Sequence, residues 1–292
     1  METFEECIRC KYANIKSTIE LLPIFNTRLN ISECLKFNNK RAIYKVYDEK
    51  FKMYATAKFI IKRNIQSKRL CIINFIKNNP HENLSSIYEI GSIGSFYVIL
   101  TKYIPGVTFD CFIKQCENVK TLQFVITGIL KGLKFLHDNN IQHSDIKPSN
   151  IVVSNTNIAK IIDFDLVMEI KDKYIVQNVI MGTRPYIPKE VMMEKKYYLK
   201  SDIWELGVAI VKPLIEWKSN LESNNGSIVE EFVFDNSMGN KLNFYTEYEG
   251  IDLTFAHNKI GETMCNIVNE MLTVDVEDRP TASNLIKRLK KT

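Results

Sequence analysis

Glycine is scarce in this chain, 11 among 292 residues, and no stretch gathers several of them into one loop. A phosphate site made of closely approaching backbone N–H groups, which glycine permits, is therefore disfavoured. Long apolar runs are also missing, since none approaches the roughly 20 residues of a membrane span. Glu2, Glu5, Glu6, Arg9 and Lys11 interrupt the first apolar residues, which excludes a secretory h-region. A soluble, intracellular protein is expected. The seven cysteines are odd in number and scattered, with no second Cys or His pair to complete a zinc site beside Cys7 and Cys10. Reduced thiols are expected. A net charge of +5, spread along the chain, pulls only weakly towards acidic partners, and neither nucleic-acid nor membrane binding is expected. Internal repeats are absent. Two local gaps complete the inventory: no Ser or Thr between Phe164 and Met181, and no Asp or Glu between Phe59 and Pro80.

What is present is a chain that is 45% apolar, enough for a substantial core. Ile31 to Lys36, Ala42 to Tyr47 and Phe51 to Phe59 read as three strands of an antiparallel meander, joined by turns at Phe37 to Lys40 and Asp48 to Lys50. Arg69 to Asn78 has helical apolar spacing at Leu70, Ile73 and Ile76, and Tyr88 to Ile90 with Phe96 to Leu100 supply two more strands. From Thr121 onward the chain turns helical, with one apolar face from Leu122 to Leu136. Further helices are predicted at Ser201 to Leu214, Lys259 to Thr273 and Ala282 to Lys291, while Glu216 to Asn258 is rich in Asn, Ser, Gly and charge. Residues 1–30 are predicted to be a helical extension.

The chemistry concentrates in one stretch: His143-Ser144-Asp145-Ile146-Lys147-Pro148-Ser149-Asn150, an apolar run, then Ile161-Ile162-Asp163-Phe164-Asp165. Phosphoryl transfer needs few groups, and these suffice for most of it. Asp145 suits orientation and deprotonation of a hydroxyl, Lys147 suits neutralising a phosphoryl group, and Asn150 with Asp163 suits a divalent metal. A short hairpin between them returns Asp163 beside Asn150. The pattern resembles the H-R-D-x-K-x-x-N and D-F-G loops of eukaryotic-type protein kinases, with Ser144 for Arg and Asp165 for Gly.

Further motifs carry the resemblance over roughly residues 30 to 290. Ala55-Thr56-Ala57-Lys58 is similar to V-A-I-K, which implies that Lys58 contacts the ATP phosphates. Tyr103-Ile104-Pro105-Gly106 resembles a hinge exit, which implies Thr101 as gatekeeper and the backbone of Lys102, Tyr103 and Ile104 against adenine. Gly182-Thr183-Arg184-Pro185-Tyr186 and Pro188-Lys189-Glu190 resemble the substrate-proximal loop and A-P-E. Asp202-Ile203-Trp204 and Asp278-Arg279-Pro280 resemble the helix that anchors the catalytic loop and the partner of Glu190. His143, Thr183, Glu190, Asp202 and Arg279 are then structural, with Thr183 bonding Asp145 and Lys147. His81, His137 and His257 read as packing or surface residues. The resemblance implies an α+β, bilobal fold with an antiparallel β small lobe (31–101), a hinge (102–106) and a mainly helical large lobe (107–292). No separate second module is expected.

Four departures stand out. Lys36, Asn38 and Arg41 occupy the places of the three loop glycines, so Lys40 or Arg41 either neutralises phosphate by side chain or is a solvated loop charge. Lys58 lacks the carboxylate usually found on the following helix. Asn74, the nucleotide itself or Asp163 are the alternative partners. Ser144 removes the cation that reads a phosphorylated activation loop, and Tyr174 is the only hydroxyl between Phe164 and Met181, so activity without loop phosphorylation is expected. Asp165 adds a carboxyl beside a metal ligand.

The resulting expectation is a Ser/Thr protein kinase using ATP and magnesium, with manganese as a substitute; the alternative is a pseudokinase that binds nucleotide or acts as a scaffold. A small-molecule phosphotransferase fits less well, because residues 183–190 and Arg279 resemble protein-substrate kinases. The abundance of Asn, Ile and Lys has an AT-rich flavour and suggests a viral source, in the manner of the baculovirus late protein kinases, with host cytoplasm or nucleus as location. The protein substrate would then be basic and DNA-associated. The usual acidic positions for such a substrate hold Thr108 and Ser149, which leaves Glu205, Glu216, Glu222, Glu230 and Glu231 as candidates by location. The basic end, Lys287 to Lys291, reads as a nuclear signal or as a solvated last helical turn.

Overall fold

The computed structural model describes residues 24, 27–38, 41–223 and 252–290, with the backbone alone for 219–223. The expected helices before residue 24, Lys40, Glu230, Glu231 and the Glu222 side chain lie outside the described residues. Two compact units divide the chain: one runs to Pro80 and resumes at Ser85–Ile104, and the other takes His81–Leu84 and everything from Pro105.

The first unit contains β1 (Leu29–Phe37), β2 (Arg41–Asp48), β3 (Met53–Ile61), helix α1 (Ser67–Asn78), β4 (Ile87–Ile93) and β5 (Phe96–Lys102). The strands form one antiparallel sheet in the order β1-β2-β3-β5-β4. Strict alternation along β2 buries Ala42, Tyr44 and Val46, which pack with Ala55, Ala57, Phe59, Val98 and Leu100. That is the period-two pattern of a strand with one face in a core. Asp48 follows the same alternation and is fully buried, a costly place for a carboxylate unless it is paired. Arg28 pairs it, donating from Nε and Nη2 at 3.0 and 2.7 Å, and its other edge reaches Glu89 at 2.7 and 2.9 Å. Tyr88 donates a further bond to Asp48 at 2.9 Å. Burial pushes the Asp48 carboxyl up, but the bonds from Arg28, Tyr88 and the Lys50 N–H outweigh it and hold the group below the ordinary carboxylate range.

The second unit begins with β6 (Gly106–Thr108), α2 (Phe109–Gln115), α3 (Val119–Asp138), β7 (Ile141–Gln142), β8 (Ile151–Ser154) and β9 (Ala159–Ile161). It continues with β10 (Met168–Glu169), β11 (Ile175–Val176), α4 (Lys189–Glu194), β12 (Lys196–Tyr197), α5 (Ser201–Ser223), α6 (His257–Ile260), α7 (Glu262–Met271) and α8 (Ala282–Leu289). An antiparallel five-stranded sheet is thus followed by a mainly helical region, the order that the resemblance implies. α3 starts where the Asn118 side chain caps the Thr121 N–H, and Leu122, Val125, Ile126, Ile129, Leu130, Leu133 and Leu136 line its buried face.

Two helix boundaries differ from the sequence expectation. α5 continues past the expected end at Leu214 to Ser223; Pro213 lies inside it, where burial of Val208 to Val211 and Leu214 offsets the roughly 3 kcal/mol cost of a proline in a helix. The helix expected from Lys259 is split, since Gly261 takes φ +82 and separates α6 from α7.

The short segment His81–Leu84 is fastened within the second unit. The Asn83 side chain donates to the Ala159 carbonyl at 2.9 Å, and the Asn83 carbonyl accepts from the Ile161 N–H at 2.8 Å. The Asn83 carboxamide lies against α3 at Gly128, where a Cβ would stand 2.8 Å from Nδ2. His81 stacks on Phe135 with ring centroids 5.0 Å apart. Among the described residues, no helix is long and apolar enough to cross a membrane.

Candidate active site

The loop between β7 and β8 is held by the N-terminal turn of α5. Asp202 and Glu205 lie three residues apart on one helix face, and both carboxylates are buried. Asp202 accepts from the N–H groups of His143 at 2.8 Å and Ser144 at 2.9 Å, while Glu205 accepts from the Ile146 N–H at 2.6 Å. These loop amides have no ladder partner, and buried amides left unbonded are costly, so the two acids fix the loop's course. His143 is fully buried. Its Nδ1 accepts from the Asp145 N–H at 3.3 Å, and its Nε2 lies 3.1 Å from the Ile162 carbonyl.

Three polar side chains converge on Asp145. Thr183 donates from Oγ1 to Asp145 Oδ1 at 2.6 Å, and Lys147 Nζ donates to Asp145 Oδ2 at 2.7 Å and to Thr183 Oγ1 at 2.5 Å. The Asn150 amide donates to Oδ2 at 3.0 Å and to the Asp145 carbonyl at 2.8 Å. With its nitrogen engaged, Asn150 presents its oxygen as the remaining acceptor. The β8–β9 hairpin pairs Ile151 with Ile161, and the Ile162 N–H donates to the Asn150 carbonyl at 2.9 Å, which returns Asp163 to the neighbourhood of Asn150. Asp163 itself adopts φ +68, a conformation that Asp tolerates better than most residues.

Thr183 is delivered by Gly182, whose φ of +113 is open to glycine and strained for other residues. A Cβ there would also meet the Ser144 carbonyl at 3.3 Å. Farther along, Glu190 and Arg279 form a buried ion pair at 2.7 Å, and Ser201 donates to the same carboxylate at 2.8 Å.

In the first unit, β3 pairs with β2 so that Lys58 lies opposite Ile43 and Thr56 opposite Lys45. Where β1 gives way to β2, the Asn38 N–H donates to the Arg41 carbonyl at 3.0 Å, and the Asn38 side-chain oxygen accepts from the Arg41 N–H, also at 3.0 Å. Lys36 is exposed on β1, and α1, which carries no acidic residue, holds Asn74 on an exposed position. Thr101 lies opposite Thr56 across β3 and β5. The Lys102 N–H donates to the Ser86 carbonyl at 3.0 Å and the Tyr103 N–H to the Tyr54 carbonyl at 3.1 Å, while the Ile104 N–H makes no backbone bond among the described residues.

The protein kinase domain matches residues 40–289 of this sequence. This chain belongs to the protein kinase domain family. It is similar to the dual specificity mitogen-activated protein kinase kinase dSOR1 of Drosophila melanogaster, 34% identical over 134 residues, which is 43% of this chain and 33% of that protein. It is also similar to the serine/threonine-protein kinase STE20 of Kluyveromyces lactis, 26% identical over 226 residues, 76% of this chain and 21% of that one. Cyclin-dependent kinase-like 2 of Rattus norvegicus is 24% identical over 234 residues, 73% of this chain and 46% of that one. The chain thus spans less than half the length of each of these three kinases.

The kinase domain here contains residues whose place the sequence did not reveal. Glu205, a candidate for contact with a basic substrate by location, is 3% exposed and bonded to the loop backbone. Burial, and then the charge of Asp202, push its carboxyl well above the usual range. His137, read as packing or surface, sits with Nε2 at 2.9 Å from Asp202 Oδ2 and so joins the loop support. Glu216 keeps some exposure but is held by Lys114 at 2.6 Å and Lys212 at 2.5 Å. Burial, followed by the charges of Glu216, Asp110 and Asp145, pushes the Tyr186 hydroxyl up to about 12. Ser149 is exposed, and Thr108 precedes α2 as its N-cap residue.

A family of this kind uses ATP with a divalent metal, and the donor set fits that role. Among the described residues, no group of three or more His, Cys, Asp or Glu can hold a metal by itself. One amide oxygen on Asn150 and one carboxylate on Asp163 suit magnesium, which commonly takes few protein oxygens and completes its shell with phosphates and water.

Proposed function

We propose that this chain is a protein serine/threonine kinase that transfers the γ-phosphoryl of Mg-ATP to a hydroxyl of a protein substrate. The observation that carries the reading is the bonded cluster of Asp145, Lys147, Asn150 and Thr183. Asp145 orients the Ser or Thr hydroxyl and takes its proton as the new P–O bond forms and the bond to ADP breaks. Lys147 neutralises negative charge on the moving phosphoryl group, and Thr183 keeps the two side chains in register. Asn150 and Asp163 would hold the magnesium, which when bound offsets phosphate charge. Lys58 contacts the nucleotide phosphates, and Arg41 supplies charge in place of glycine amides. Thr101, Lys102, Tyr103 and Ile104 border adenine, with the Ile104 N–H as donor. Turnover proceeds without activation-loop phosphorylation.

A basic, DNA-packaging substrate draws little support from the site. Glu205 is buried, and Glu216 is neutralised by two lysines. The viral source rests on composition, whereas the three similar kinases come from fly, yeast and rat. A pseudokinase is the second reading, favoured by the self-bonded turn at Asn38 and Arg41 and by the absence of an acid on α1. Incubation with labelled ATP, magnesium and a protein mixture, beside Asp145→Ala, separates the two. Label that disappears in the variant supports the kinase, and label equal in both or absent from both supports the pseudokinase.

A further inference from the structure

Kinase activation segments are commonly ordered by a phosphate that pairs with an arginine. Here the segment offers no Ser or Thr between Phe164 and Met181, and the loop position that could carry the arginine is Ser144. Ser144 is 1% exposed, and its hydroxyl makes no hydrogen bond among the described residues. The segment is nevertheless tied down by its own chain. β11 pairs with β12, the Gln177 N–H donates to the Lys195 carbonyl at 3.1 Å, and Lys195 Nζ donates to the Asn178 carbonyl at 3.2 Å. Beneath it lies a small separate core of Met168, Ile170, Ile187, Val191 and Tyr197.

Tyr197 is the one member of that core with a polar tip. Its ring is 1% exposed, and its hydroxyl accepts from the Met181 N–H at 2.6 Å, with the Met181 carbonyl at 3.3 Å. Met181 is followed by Gly182, and Gly182 by the threonine that bonds Asp145. We propose that the Tyr197 hydroxyl is a positioning group for phosphoryl transfer, fixing the backbone at Met181 so that Thr183 meets Asp145 and Lys147 without any phosphate. The proposal rests on the kinase reading above for its effect on rate, and on geometry alone for its effect on the backbone. Replacing Tyr by Phe removes the hydroxyl and keeps the ring in its core, so the fold survives while the Met181 amide loses its acceptor.

The test uses the full chain, wild type and Tyr197→Phe, both treated with phosphatase. Three quantities are measured: steady-state transfer from ATP to a protein mixture, amide exchange over residues 179–183, and the melting temperature. The expected variant has a kcat lowered about tenfold, an unchanged KM for ATP and faster exchange over 179–183. Its melting temperature stays within about 5 °C of the wild type. Unchanged kcat with unchanged exchange overturns the proposal. So does a larger melting loss, because the role is then merely structural, and so does inactivation of the wild type by phosphatase. If the wild type shows no Asp145-dependent transfer, the kinase reading fails instead, and the exchange comparison alone decides whether Tyr197 fixes Met181.

Discussion

The loop around Asp145 and the turn between β1 and β2 are both polar and close to predicted phosphate chemistry, yet they are built in opposite ways. The loop draws partners from far along the chain: Asp202 and Glu205 on α5, Thr183 beyond Asp163, and His137 behind Asp202. The turn is closed by Asn38 and Arg41, three residues apart. Long-range bonds from buried groups make position a property of the whole unit, whereas a bond between residues close in sequence fixes its own neighbourhood. The Asp145 loop is thus fixed from a distance, whereas the ends of β1 and β2 are joined by a bond between near neighbours in sequence.

The largest effect should come from cutting the support of the braced region. Arg279→Met leaves the Glu190 carboxylate buried without its partner and should cost about 3 to 5 kcal/mol, read from urea unfolding. A loss below about 1 kcal/mol would show that the pair is not what secures this region. At the turn the expectation is milder. Arg41→Ala should weaken Mg-ATP binding about fivefold by titration calorimetry, the scale of one charge-assisted contact. Unchanged affinity removes Arg41 from the phosphate site and leaves the turn without a role.

The smallest effect concerns pH and sharpens the electrostatic side of the comparison. Burial and Asp202 raise the Glu205 carboxyl above its ordinary value, so the folded chain keeps a proton that the unfolded chain releases. That stability is fully present below the ordinary glutamate range, near pH 4.3, and is lost as pH rises towards the raised folded value. Glu205→Gln keeps an oxygen for the Ile146 N–H and cannot ionise. Its melting temperature should fall less than the wild type's from about pH 5 upward, and parallel curves would overturn the assignment.

Much of this molecule could be read in advance where the signal was local. Alternation announced β2, the apolar stripe announced α3, and the motif around Asp145 grouped it with Lys147 and Asn150, whose side chains bond to it. Glu205 was misread because exposure is not written in a residue's position relative to a motif. Only the packing of α5 shows that it faces inward. His137 and Tyr197 escaped for a related reason, since their polar contacts join residues far apart in sequence, which no spacing rule encodes.

The placement of Asn83 against α3 has a consequence for how this chain can be divided. Because His81–Leu84 belongs to the second unit while the segments on either side belong to the first, the polypeptide changes units at Pro80, Leu84 and Ile104. Neither unit is a contiguous stretch of sequence. A cut after Ile104 would strip the second unit of the residues that fill the notch beside Gly128, and would leave the first carrying a loop shaped for a surface it no longer has. Any attempt to graft, swap or permute the small unit must therefore carry the acceptor site for Asn83 with it.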